Sequence, residues 1–235
     1  MNSNKTNKLK LLLVGAFVAF SQYAAFGQSS TYEKMLVNDD LTSAYNVRGS
    51  LKNSAGNVVI YGYQSKNNYD PFFAEINTST GDTIKWVDVD GTLFPERMRS
   101  MVELPTGGYL GVGYTSRNSS NYPWIIKLKA NGDTVFTKSF HTYSNTFSNC
   151  TNTLQGYFND AIVNGSGDLV VTGQNDNCWQ YSTLIAQIDT ANGTIDWVKG
   201  NRTFKAQSGI TVESYRGNAI ALDGSNYIVV GGGYG

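Results

Sequence analysis

The sequence predicts an all-β protein, and more narrowly a β-propeller of four-stranded antiparallel blades, three complete and a fourth partial. Three observations predict it. First, 13% of the 235 residues are aromatic, 25 are glycine and only 15% are charged, a composition of strand and turn formers without a helical bias. Second, an apolar strand ending in glycine occurs four times. Third, the strand after it returns with its two faces in register. A β-sandwich is the alternative; it uses similar strands but does not require the pattern to return. A parallel β-helix repeats at shorter intervals.

Residues 1–27 read as a cleaved signal peptide. Lys5, Lys8 and Lys10 give a positive start, Leu11 to Phe20 is an apolar run, and Ala25-Phe26-Gly27 supplies the small residues of a cut before Gln28. The apolar run is too short to span a bilayer, and no later stretch matches it, so no transmembrane segment is expected in the mature chain. The residue after the cut is Gln28 rather than cysteine, which argues against a lipid anchor. Basic and acidic side chains number 18 each, and losing the three lysines leaves a net charge of −3. Such a surface gives no electrostatic reason to expect nucleic acid as a partner.

Residues 28–235 form the repeat domain, with units over 43–90, 97–140 and 157–200 and a partial unit over 216–235. The glycine-terminated strands are "NVVIYG" ending at Gly62, "GYLGVG" at Gly113, "DLVVTG" at Gly173 and "NYIVVG" at Gly231. Their spacing of roughly 50 to 60 residues is one supersecondary unit. Being almost continuously apolar, they are expected to be covered on both faces. Before each lies a first strand: "NVRGSL", "SMVEL", "NDAIV" and "GNAIAL".

The third strand of each complete unit keeps period-two alternation. Phe72, Ala74 and Ile76 correspond to Trp124, Ile126 and Leu128, then to Leu184, Ala186 and Ile188, while Glu75, Lys127 and Gln187 mark the other face. Glycine-containing turns follow ("NTSTGD", "KANGD", "DTANGT"), and then the fourth strands "TIKWV", "TVFTK" and "TIDWV". Four strands per unit at this period suit propeller blades. "YEKML" at residues 32–36 resembles a further fourth strand, one that could complete the last blade. The partial unit would still lack a third strand, so the chain is expected to be a piece of a longer protein, its open edges inviting association.

The second unit, "GGYLGVGYT…PWIIKLKANGDTVFTKSF", resembles the repeats of exported bacterial β-propellers of the Bacteroidetes type, many of them type IX secretion cargo. The resemblance extends over residues 49 to 231 and is clearest in this unit. It implies a propeller that is secreted or held at the cell surface of a bacterium.

Loop lengths single out one rim. The connections from first to second strand and from third to fourth are short. Those from second to third ("YQSKNNYD", "YTSRNSSNY", "QNDNCWQYS") and between units are long, and both long sets emerge at the same end of a meander. Function is expected on that rim. Its aromatic residues Tyr69, Tyr122, Trp179 and Tyr181 are the candidate ligand-binding residues, suited to stacking on a sugar or contacting a protein. Cys150 and Cys178 lie in two of these loops. In an exported chain with two cysteines a disulfide is the default, closing a loop for roughly 3 to 4 kcal/mol; two free thiols are the alternative.

Catalysis has little footing. With His141 the one histidine and both cysteines assigned to a disulfide, neither a Cys/His nucleophile nor a zinc site can be assembled, and no metal or cofactor is expected. "DVDG" at 88–91 lacks the remaining ligands of a calcium loop. Asp70, Asp176, Glu96 and Glu213 fall in or beside long loops, where two carboxyls of suitable separation would serve a glycosidase. The expectation is a non-catalytic binding or scaffold propeller with a carbohydrate or protein ligand. The alternative is a carbohydrate-active enzyme or an accessory module of one.

Overall fold

The structure is a computed structural model that describes residues 45–65, 69–89, 94–141, 154–176, 182–201, 204–205, 211–212 and 215–233. Every regular element among them is a strand. Three four-stranded antiparallel meanders follow one another along the chain. The first is β1 (Tyr45–Lys52), β2 (Val58–Gln64), β3 (Pro71–Ile76) and β4 (Thr83–Asp88). The second is β5 (Glu96–Glu103), β6 (Tyr109–Arg117), β7 (Ser120–Leu128) and β8 (Thr134–Ser139). The third is β9 (Gly156–Val163), β10 (Leu169–Asn175), β11 (Ser182–Ile188) and β12 (Ile195–Asn201). A short hairpin, β13 (Phe204–Lys205) with β14 (Thr211–Val212), precedes a two-stranded sheet of β15 (Tyr215–Asp223) and β16 (Asn226–Gly233). The signal peptide, the "YEKML" segment, Cys150, Cys178, Trp179 and Tyr181 all lie outside the described residues.

The repeated glycine has a steric cause. In the three meanders and in the β15–β16 sheet the first strand carries one extra residue: Arg48 in β1, Arg99 in β5, Asn159 in β9 and Asn218 in β15. The bulge sits directly beside the glycine, with Gly62 opposite Val47, Gly113 opposite Met98, Gly173 opposite Phe158 and Gly231 opposite Gly217. A Cβ on any of these four glycines would lie well inside contact distance of a first-strand carbonyl oxygen, that of Asn46, Arg97, Tyr157 or Arg216 respectively. In each case that carbonyl belongs to the residue two before the extra one. Glycine is required there because the bulge brings backbone onto backbone.

Successive sheets pack through the same strands each time. The first strand of the second sheet, β5, lies against β1, β2 and β3; β9 lies against β5, β6 and β7; and β15 lies against β9, β10 and β11. Among the described residues two apolar cores result. Val59, Tyr61, Phe73, Met98, Trp124 and Ile126 meet between the first and second sheets. Leu110, Val112, Ile125, Phe158, Val171 and Leu184 belong to the core between the second and third. Trp124, Phe72, Phe73 and Phe158 are fully buried, each worth about 3 to 5 kcal/mol against truncation to alanine. Polar side chains tie the first strands together as well. Arg99 donates to Asn159 Oδ1 and Asn159 Nδ2 to the Gly217 carbonyl, while Ser100 Oγ and the Ile220 amide both donate to Asp160.

Three features differ from the sequence reading. The third strands do not alternate simply: Phe73 and Ile125, on the supposedly polar face, are wholly buried, because a neighbouring sheet covers that face too. The supposed long loop after β6 is a continuous hairpin, with Tyr122 paired to Thr115 and Ser120 to Arg117 across a turn at Asn118 and Ser119. Both turn residues have positive φ, 50° and 63°, as a two-residue primed turn requires. Lastly, the outer face of β16 is open, with Ile228 and Val230 exposed where Val170 and Thr172 of the third sheet are buried.

Candidate functional site

The end of the sheets that carries the second-to-third and inter-sheet connections is marked by a row of arginines on tyrosines. The extra residue of the bulge and its neighbours supply the arginines: Arg48 on β1, Arg97 and Arg99 on β5, and Arg216 on β15. The residue after the strand-ending glycine supplies Tyr63 on β2 and Tyr114 on β6, and β9 adds Tyr157 opposite Gln174. Because the first strands of consecutive sheets are neighbours, these side chains interleave across sheet boundaries. Arg48 lies 5.0 Å from the Tyr63 ring centre, Arg97 5.5 Å from the same ring and 5.6 Å from Tyr114, and Arg99 5.0 Å from Tyr114 and 4.2 Å from Tyr157. Arg216 lies 6.0 Å from the Tyr157 ring centre.

The row has an inside and an outside. Tyr63, Tyr114 and Tyr157 are 6%, 6% and 7% exposed, whereas Arg48 is exposed and Arg97, Arg99 and Arg216 are half-buried. The rings are thus the floor and the guanidinium groups the surface. Hydrogen bonds fix them: Arg97 donates to the Tyr114 hydroxyl at 2.7 Å and Arg48 to that of Tyr63 at 2.5 Å, while Tyr157 donates to Gln174 Oε1. Among the described residues Arg48, Arg97 and Arg99 have no carboxylate in an ion pair, and Arg97 Nε is buried without a hydrogen-bond partner. Asp176 is close enough to feel Arg216 and Arg99. Burial raises its pKa, against the hydrogen bond from Gln174 and the pull of the two arginines.

A second feature lies on the face of the second sheet that turns toward the first. A cavity of about 190 Å³ is lined by Glu96, Thr115, Arg117, Trp124, Ser139 and His141 among others. His141 Nδ1 lies 3.0 Å from Ser139 Oγ and its Nε2 3.4 Å from Arg117. The Trp124 indole donates to Thr137 at 2.7 Å, and Thr115 Oγ1 is buried without a hydrogen-bond partner. Among the described residues no three His, Cys, Asp or Glu side chains gather as a metal site.

The two described candidate residues go to different places. Tyr69 joins the row, half-buried with φ 60°, edge-on to Tyr63 and with the Arg97 guanidinium 4.1 Å over its ring. Its face is therefore already occupied. Tyr122 is in strand β7 rather than in a loop, edge-on to His141 at 6.0 Å beside the cavity. Sequence reasoning passed over the arginines. Their signal was their position: Arg48 and Arg99 occupy the same place in successive first strands, and Tyr63 and Tyr114 both follow the strand-ending glycine. No protein-family model matches the chain, and no characterised protein of similar sequence is found.

Proposed function

We propose that this chain is a non-catalytic binding or scaffold protein of the β-propeller type, secreted or displayed at the cell surface, which takes a carbohydrate or protein ligand on the rim formed by the second-to-third and inter-sheet connections. The arrangement of the sheets supports the propeller: each first strand packs against the first three strands of the sheet before it, and the relation repeats three times. The observation that carries the binding reading is the arginine row. Cationic groups held in fixed orientation on buried rings, with Arg48, Arg97 and Arg99 in no ion pair among the described residues, suit a recognition surface.

The test is to incubate the purified chain with polysaccharides and with extracellular protein fractions, and to follow binding and product release together. Retention on a polysaccharide or protein without release of shorter sugars is expected. Turnover of a polysaccharide would replace this reading with that of a carbohydrate-active enzyme.

A further inference from the structure

We propose that the cavity of the second sheet, between Thr115, Trp124, Thr137 and Ser139, takes one neutral sugar ring; the inference rests on the binding reading above and names a site and a ligand for it. The cavity comes from a local departure from the repeat. Counted from the strand-ending glycines, Tyr45, Phe72 and Trp86 of the first sheet correspond to Glu96, Trp124 and Thr137 of the second. In the first sheet the three aromatic rings fill this place, with centres 5.0 to 5.2 Å apart. In the second, two of them are replaced by Glu96 and Thr137, and about 190 Å³ is left open.

The polar groups around this space ask for a partner with hydroxyls. Thr115 is 4% exposed, and its Oγ1 is buried without a hydrogen-bond partner. Such a group is costly in the free protein and gains from any ligand that pairs it. Arg117 can only donate, so His141 Nε2, 3.4 Å away, accepts, and the ring proton sits on Nδ1 and goes to Ser139 Oγ at 3.0 Å. Ser139 therefore keeps its own hydroxyl hydrogen to donate. His141 does not act as its base, so the site holds a ligand and does not attack it.

Size and lining select the ligand. The volume lies below the roughly 300 Å³ at which sites for drug-sized molecules begin, so one ring fits and a longer ligand must leave the rest of itself outside. Phe94, Trp124 and the threonine methyls form an apolar wall suited to the C–H groups of a sugar. One acidic and one basic side chain, Glu96 and Arg117, line the same space, which gives an ion of either sign no advantage. A purely apolar guest would leave the Thr115 hydroxyl buried and unpaired.

The experiment is saturation-transfer NMR titration of the full chain with glucose, galactose, mannose and N-acetylglucosamine, and with p-cresol standing for an aromatic side chain of a protein partner. Saturable binding of at least one sugar is expected, at about millimolar Kd. Thr115→Val keeps the shape and removes the unpaired hydroxyl. It should weaken that binding about tenfold while leaving the thermal midpoint at or above the parent's, whereas a structural hydroxyl would lower the midpoint. Thr137→Trp, which copies Trp86 of the first sheet, should fill the cavity and abolish binding. Lys129→Gln, on an exposed turn at the other end of the second sheet, should change nothing. Circular dichroism checks that each variant folds, and Thr137, being exposed, keeps the test valid if the Thr115 variant does not.

Sugar binding that neither threonine substitution alters would overturn the cavity as the site and leave the binding function standing. Tighter binding of p-cresol than of every sugar would overturn the choice of ligand. No saturable binding of any of the four sugars would overturn the inference outright, and retention on polysaccharides or extracellular proteins would then decide the broader reading separately.

Discussion

At the scale of single residues, the four strand-ending glycines carry the heaviest constraint. Gly113 faces the Arg97 carbonyl so closely that a methyl group could enter only by moving β5 off β6. Gly113→Ala should therefore destabilise the protein by about 3 kcal/mol, the upper part of the range for forcing atoms into a packed interior, as read from urea denaturation. Glu75 gives a different dependence. Burial opposes its charge, but hydrogen bonds from Asn57 and Asn53 and the nearby Lys85 outweigh that and lower its pKa. A lowered folded pKa means that the ionised group stabilises the fold above the unfolded value, near 4.3 for glutamate, and that this is lost as pH falls through the folded pKa. Glu75→Gln should cost about 1 to 2 kcal/mol at neutral pH, and the gap between variant and parent should close in an acid series.

At the scale of elements, the hairpin of β6 and β7 holds two residues in the left-handed region without a glycine. Ser119, at φ 63°, bears a cost that glycine would not. Ser119→Gly should stabilise the protein by about 0.5 kcal/mol, the relief of strain being partly offset by a freer unfolded chain; thermal denaturation measures it. The same turn shows where the sequence stopped being legible. The strands themselves were readable, because apolar runs between turn residues repeat, and so was the face of Trp124, Ile126 and Leu128. "RNSSN" has the polar look of a loop, and only the pairing of Tyr122 with Thr115 makes it a hairpin. The bulges were unreadable in themselves, yet their consequence, a glycine at the same place in four strands, was the clearest pattern in the chain. The arginine row is a harder case. Arg48, Arg97 and Arg216 are far apart in sequence and become neighbours only through the packing of one first strand on the next. Of the aromatic candidates Tyr69 and Tyr122, the structure brings one to the row and leaves the other beside His141.

For the whole molecule, the account depends on how the sheets are arranged. The row is continuous because β1, β5, β9 and β15 are successive neighbours, which is what blades around a common axis would produce. The most direct measurement places spin labels, on non-canonical residues, at the equivalent exposed turn positions Thr80, Asn131 and Asn192 and reads the three distances by pulsed electron resonance. The propeller predicts equal distances for Thr80 to Asn131 and Asn131 to Asn192, and a Thr80 to Asn192 distance clearly shorter than their sum, since the sheets turn about an axis. A Thr80 to Asn192 distance equal to that sum, or two unequal steps, would mean a straight or irregular stack and would contradict the account.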